Sequence, residues 1–289
     1  MDAAELLRKV RKIEIKTKGL TRHIFSGEYH SAFKGRGMSF SEVRPYQWGD
    51  DVRNIDWNVT ARTGDPHIKI FEEERELTVM LMVDMSHSAY FGTTTQFKQE
   101  LMVEISAVLA FSAIQNNDKV GLILFSDRVE KYIPPKKGRT HILRIIRELI
   151  NYEPASQGTD LKRALEYLNN VIKKRCITFL LSDFIATGYE QVLQIVAKKH
   201  DLVGMHIFDP VEHNFPSIGL VRLRDAETGA EYILDTASPD VVSGMKDWFK
   251  NYQQQARQTF LRNGADLLSI GTHESYVKAL MKFFKKRMK

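Results

Sequence analysis

Four short apolar runs recur along the chain and set its class: LTVMLMVD ending at Asp84, KVGLILFS at Ser126, CITFLLSD at Asp183 and LVGMHIFD at Asp209. None shows the polar/apolar alternation that a water-facing sheet surface imposes, so each is expected to be a strand buried on both faces. Stretches with helical spacing lie among them at 96–116, 138–151, 159–174 and 188–199. Buried strands separated by helix-length segments make a mostly parallel sheet with a helical layer on each side. The fold class expected is therefore α/β, doubly wound.

That regularity begins only near residue 76. Upstream, residues 4–24 place Leu6, Leu7, Val10, Ile13, Leu20 and Ile24 at near-helical spacing with basic residues on the other face, which predicts an amphipathic N-terminal helix. From Gly35 to Glu76 periodicity dissolves into glycines, prolines, paired charges and two tryptophans, ending in the acidic run EEERE. Two domains are expected: 1–75, a helix with an irregular, partly stranded extension, and 76–289, the α/β domain. Within the latter, LVRLRDAETGAEYILDT predicts a β-hairpin near 218–236 with Glu227, Thr228 and Gly229 in its turn. Helices are expected at 239–263 and 273–286, around the apolar segment ADLLSI.

Charge narrows the partners. The formal net charge is +6, and the terminal stretch YVKALMKFFKKRMK alone holds Lys278, Lys282, Lys285, Lys286, Arg287 and Lys289 with no acid, so the rest of the chain is neutral. A nucleic-acid binder carries its basic excess as a stripe on the folded body, and this chain has none. The basic tail reads first as a solvated helix end whose cations suit the C-terminal dipole, and second as a contact for an anionic membrane surface. The start lacks the apolar core of a signal peptide, and no apolar segment approaches a membrane span. The single cysteine, Cys176, opens an apolar run and reads as a buried residue without a disulfide partner; a reducing, cytoplasmic location is expected.

The chemistry is expected at the carboxyl ends of the strands, where loops diverge and ligands bind in a doubly wound sheet. Three apolar runs end there in a carboxylate: Asp84, Asp183 and Asp209. After Asp84, the spacing D-x-S-x-S in extended backbone brings Asp84, Ser86 and Ser88 to one side and leaves His87 facing solvent. Alone, that spacing is also compatible with serines that cap the next helix. With Thr159 at the mouth of a helix after Gly158, and Asp183 at the end of another strand, the five form a set of hard oxygen donors. Such a set suits magnesium or manganese rather than zinc or copper.

Asp84, Ser86, Ser88, Thr159 and Asp183 resemble the metal-ion-dependent adhesion site of the von Willebrand factor A fold. The resemblance implies that the serines and threonine coordinate the ion, that the aspartates hold it directly or through water, and that one position stays open for a partner's carboxylate. The segments GRGMSFSEVRPYQWGDDVRNIDWNVTARTGDPHIKIFEEERE and FDPVEHNFPSIGLVRLRDAETGAEYILDT, with YFG after the first strand, are similar to the bacterial family called domain of unknown function 58. One departure is Ala89, where the family pattern has a methionine; no ligand is lost. Members of that family are associated with MoxR-type AAA+ ATPases and are thought to act with them as chaperones in the assembly or maturation of protein complexes. The resemblance thus implies a non-enzymatic protein-binding module with such an ATPase as partner.

The extension adds a second cluster. Arg44, Arg53 and Arg62 recur beside Asp50, Asp51, Asp56 and Asp65, with Tyr46, Trp48 and Trp57 between them. An ion-pair and stacking network is expected from Arg44, Asp50, Arg53, Asp56, Trp57 and Arg62, serving as a structural clamp or a partner-facing surface. The competing reading of the whole chain is a magnesium-dependent phosphohydrolase of haloacid-dehalogenase type with Asp84 as nucleophile. Against it, the second acid expected two residues later is Ser86. The chain has no G-x-x-x-x-G-K-[ST], G-x-S-x-G or H-E-x-x-H motif, so no intrinsic ATPase activity is expected.

Overall fold

Each of the four apolar runs forms a strand whose side chains are sealed from water on both faces. The computed structural model describes residues 11, 13, 26–33, 38–73, 76–93 and 96–288. The chain forms two compact units, one of Phe33–Leu77 and one of Thr78–Lys289 together with Met1–Ala32. The helix expected over 4–24 lies, apart from residues 11 and 13, outside the described residues; α1 (Ser26–Phe33) follows it.

In the smaller unit, β1 (Met38–Pro45) pairs antiparallel with β2 (His67–Glu73), in register from Met38 opposite Glu73 to Pro45 opposite His67. The chain between them makes a 3₁₀ turn at Val52–Asn54 and the short helix α2 (Trp57–Thr63). Asp56 caps α2 by accepting from the amides of Asn58 and Val59, and Gly64 ends it in the left-handed conformation, φ +83°. The polar, Gly-rich texture of this segment is thus a cap, a helix stop and two turns.

The larger unit is built on a six-stranded sheet. Its strands are β3 (Thr78–Asp84), β4 (Lys119–Phe125), β5 (Val129–Lys136), β6 (Ile177–Ser182), β7 (Asp201–Phe208) and β10 (Asp266–Gly271), in the spatial order β10-β7-β6-β3-β4-β5. All neighbours are parallel except β4 and β5. The helices are α3 (Lys98–Gln115), α4 (Arg139–Asn151), α5 (Leu161–Val171), α6 (Glu190–Lys199), the single turn α7 (Pro210–His213), α8 (Pro239–Arg262) and α9 (Tyr276–Arg287). In α5, Leu161, Ala164, Leu165 and Leu168 make one apolar stripe, and in α4 Ile142, Ile145, Ile146 and Leu149 make another at the same spacing. Met80 and Met82 of β3 pack with α5, α6 and α8, so the strand's period of two sends Leu81 and Val83 to the opposite face. Gly204 in β7 lets Phe260 of α8 lie against the strand: a Cβ there would sit 2.5 Å from the Phe260 ring.

The α/β, doubly wound expectation holds, with two additions. ADLLSI is a sheet member, β10, parallel to β7. The antiparallel edge strand β5 carries no apolar run. It is half-exposed and contains Pro134 and Pro135, which only an edge strand tolerates, so it lacks the signature of its buried neighbours. The expected hairpin forms from β8 (Leu220–Arg224) and β9 (Glu231–Asp235), with Gly229 at φ +73° in the turn. At the C-terminal helix, Arg287 is withdrawn from the basic tail. Its buried guanidinium pairs with Asp201 at 2.6 Å and Asp266 at 3.3 Å. Among the described residues no helix is long and apolar enough to cross a membrane.

Candidate metal centre

Strands β3 and β6 lie side by side and point the same way, yet the chain leaves β3 in one direction for β4 and β5 and returns to β6 on the other side. This reversal opens the crevice in which doubly wound folds bind ligands. Asp84 ends β3 and Ser182 ends β6, with Asp183 the next residue. The Ser182 hydroxyl donates to Asp84 Oδ2 at 2.7 Å, and the Ser86 amide donates to Asp84 Oδ1 at 2.9 Å. Ser86 Oγ lies 3.0 Å from Ser88 Oγ, and the Ser88 hydroxyl donates to Asp183. Asp84, Ser86, Ser88 and Asp183 therefore form one chain of polar contacts across the strand ends.

Thr159 enters on a third segment. The His87 amide donates to the Gln157 carbonyl at 3.0 Å, tying the loop before α5 to the one after β3. The cap of α5 is Asp160, which accepts from the Arg163 amide at 2.9 Å, so the Thr159 hydroxyl is released from capping. It donates instead to Glu227 Oε1 at 2.7 Å. Ser86 precedes the 3₁₀ turn His87–Tyr90 but makes no side-chain cap bond. The serine and threonine hydroxyls that could have been helix caps are turned toward the strand ends. His87 is exposed, as expected, and Ala89 is buried.

A buried ammonium completes the centre. Lys98, the first residue of α3, is 1% exposed; its Nζ donates to Asp183 Oδ2 at 3.0 Å and Glu212 Oε1 at 2.8 Å, and lies 6.0 Å from the Phe91 ring centroid. Burial alone would lower its basicity, but the two carboxylates outweigh that and hold it firmly protonated. Burial alone would likewise raise Asp183, and Lys98 outweighs it, leaving Asp183 below the ordinary carboxylate range. Asp84 has no cation of its own, and burial with the nearby Asp183 charge pushes it up to about 7.

The charge balance tests whether a metal suits these residues. Asp84, Asp183 and Glu212 face one ammonium in a buried setting, and burial also raises Glu212 and Glu227. The centre lacks positive charge, and the donors aimed into it are carboxylate and hydroxyl oxygens, so the residues fit a hard divalent ion. Among the described residues no three His, Cys, Asp or Glu side chains converge as a metal-binding group. An ion here depends on the Ser86, Ser88 and Thr159 hydroxyls as well as on the two aspartates.

The third strand-terminal acid is structural. Asp209 accepts from the Thr93 amide at 2.9 Å, the Thr93 hydroxyl, the Thr272 hydroxyl at 2.8 Å and the Val211 amide at 3.1 Å. Burial would raise its carboxyl, but these donors hold it low.

The expected network of the smaller unit resolves into separate local contacts. Arg44 makes a bidentate pair with Asp50 at 2.7 and 2.8 Å. Arg53 pairs with Asp51 at 2.8 Å. Asp56 is the α2 cap, with Lys69 at 3.6 Å in place of an arginine. Arg62 is exposed, Trp48 is fully exposed and Trp57 is 70% exposed, and among the described residues neither ring stacks on an arginine. The physical reason is sequence distance: acids two to six residues from an arginine are reached without folding the segment into a core.

Four residues of the metal centre were not picked out from sequence. Lys98 carried one signal: a lysine in the first turn of a helix opposes the helix dipole and calls for a local anion. Glu212 reads as the capping-box partner of Asp209, a role it also fills. Ser182 is masked as the end of an apolar run and Glu227 as a turn residue.

A family model described as "Protein of unknown function DUF58" matches residues 42–258. The uncharacterized proteins Mb1516 of Mycobacterium bovis and Rv1480 of Mycobacterium tuberculosis are each 29% identical over 292 residues, covering 99% of this chain and 91% of theirs. Among solved structures, BatB from Bacteroides thetaiotaomicron is 16% identical with a TM-score of 0.47, over 73% of this chain and 98% of its own. Proximal thread matrix protein 1 from the mussel byssus, with a zinc-occupied metal-ion-dependent adhesion site, is 13% identical with a TM-score of 0.41, over 74% of this chain and 47% of its own. With three quarters of its length under the family model, the chain belongs to the DUF58 family.

Proposed function

We propose that this protein is a non-enzymatic module that holds a divalent ion, magnesium or manganese, at Asp84, Ser86, Ser88, Thr159 and Asp183 and uses it to dock an acidic side chain of a partner protein. The observation that carries the reading is the contact chain from Asp84 through Ser86 and Ser88 to Asp183, with hydroxyls that cap no helix. A bound ion supplies excess positive charge that a carboxylate from outside can complete. The partner implied by the family resemblance is a MoxR-type AAA+ ATPase, in the assembly or maturation of protein complexes. A free, buried Cys176 suits a reducing, cytoplasmic setting.

The phosphohydrolase reading is disfavoured by Asp84 itself. Both its oxygens are engaged by Ser182 and Ser86, and its side chain is buried, so it has no free face for attack on a phosphate.

The test is binding of manganese to the full chain, followed by capture of a purified MoxR-type ATPase with and without chelator. Saturable one-site binding and chelator-sensitive capture, both lost in Asp84→Ala, are expected. Capture indifferent to chelator and to Asp84→Ala would remove the docking role. Magnesium-dependent hydrolysis of a phosphate ester, lost in Asp84→Asn, would replace it with the enzyme reading.

A further inference from the structure

Glu227 stands at the tip of a hairpin whose residues are otherwise mostly exposed, yet its carboxylate is held against the metal centre. It accepts the Thr159 hydroxyl at 2.7 Å and also the Thr159 backbone amide. Its other oxygen reaches Gly158, lying 3.9 Å from where a Cβ on that glycine would be. The charge of Asp183 acts on it, so it stands within electrostatic reach of the aspartate pair. A threonine that gives its proton to a carboxylate keeps its oxygen lone pairs for a cation.

The turn is built to present this side chain. Asp225 Oδ1 accepts from the amides of Glu227 at 2.9 Å and Thr228 at 2.8 Å, which fixes the tip before any contact with the body. The base is closed by the Thr236 hydroxyl on the Gly219 carbonyl at 2.7 Å. Strands β8 and β9 pair only with each other and stay outside the six-stranded sheet. Among the described residues, the hydrogen bonds of this hairpin other than those to Thr159 run within it or close its base.

We propose that Glu227 is a ligand carried in cis: at the metal centre it fills the position that a partner's acidic residue takes, so the β8–β9 hairpin must lift before a partner docks. The inference rests on the divalent-ion reading above. A tethered carboxylate acts at an effective concentration on the order of millimolar, so a lone acidic side chain cannot displace it, and a partner that also engages the hairpin can. The module then selects partners with two contacts.

The experiment uses the full chain loaded with manganese alone, and reads the water-proton relaxation that each bound ion produces, before and after adding acetate as a carboxylate probe. Glu227→Gln keeps an acceptor for Thr159 and preserves the turn; Glu227→Ala removes the acceptor, and circular dichroism checks both folds. Replacing one of six coordination positions by water is expected to raise relaxation about 1.5- to 2-fold in both variants. Acetate should quench the gain in the variants and leave the wild type unchanged; manganese binding weakened in the variants alone also supports a ligand role. Equal relaxation and equal acetate response in all three proteins, with manganese bound, would overturn the proposal while leaving the metal reading intact. No manganese binding by the wild type would overturn both.

Discussion

The Ser182 hydroxyl donates to Asp84 at 2.7 Å across two neighbouring parallel strands, although 98 positions of chain separate the two residues. This bond orients the carboxylate at the switch point. It also makes Ser182 an outer partner of a metal ligand while belonging to none of the ligand positions.

Removing that hydroxyl tests the relationship. Ser182→Ala is expected to weaken manganese binding by about 10- to 100-fold, the usual effect of deleting an outer partner of a ligand. The Phe184 amide, which donates to the same hydroxyl at 3.0 Å, loses its acceptor too, so stability should fall by about 1–3 kcal/mol. Calorimetric titration and urea unfolding read the two effects; unchanged metal affinity would mean that Asp84 needs no such support.

Lys98 tests the charge balance. Lys98→Met leaves Asp183 and Glu212 buried without their cation, which should cost about 3–5 kcal/mol. The same change frees Asp183, so magnesium should bind the variant more tightly and restore more of its stability than it adds to the wild type. Urea unfolding with and without magnesium measures this, and equal stabilisation of both proteins would contradict it.

Asp84 sets a pH dependence. Its carboxyl is pushed up to about 7 in the folded protein, by burial first and by Asp183 second, against about 4 in an unfolded chain. Between those values the folded state holds a proton that the unfolded state has released, so the metal-free protein loses stability as pH rises through this window. The ion needs the deprotonated form. Manganese affinity should therefore climb with pH, at most about tenfold per unit, and level off above 7. Titrations across that range decide it; flat affinity would show that Asp84 is ionised throughout.

Cys176 gives a check on the core. Burial pushes its thiol up to about 11, and it lies 3.2 Å from His200 Nδ1 inside the protein. A disulfide reagent near pH 8 should leave it untouched until urea unfolds the domain, whereas rapid reaction in the folded state would reveal an opening around β6.

The α/β class was legible in the sequence because burial on both faces forces unbroken apolar runs, and four of them stand in plain view. The hairpin was equally legible, since its alternating strands flank a Thr-Gly turn. Edge strand β5 was not, because an edge is paired on one side only and keeps the polar and proline residues that hide it. Asp84, Ser86 and Ser88 were readable from local spacing alone. Their company was not: Ser182, Lys98, Glu212 and Glu227 reach the centre from β6, α3, α7 and the hairpin, and nothing local to each marks a shared destination. The sequence by itself determined which residues could be buried and which oxygens stand at the strand ends, because both follow from local pattern. Only the tertiary structure decided how the charges pair there, because a buried carboxylate takes its protonation and its partners from the segments folded against it.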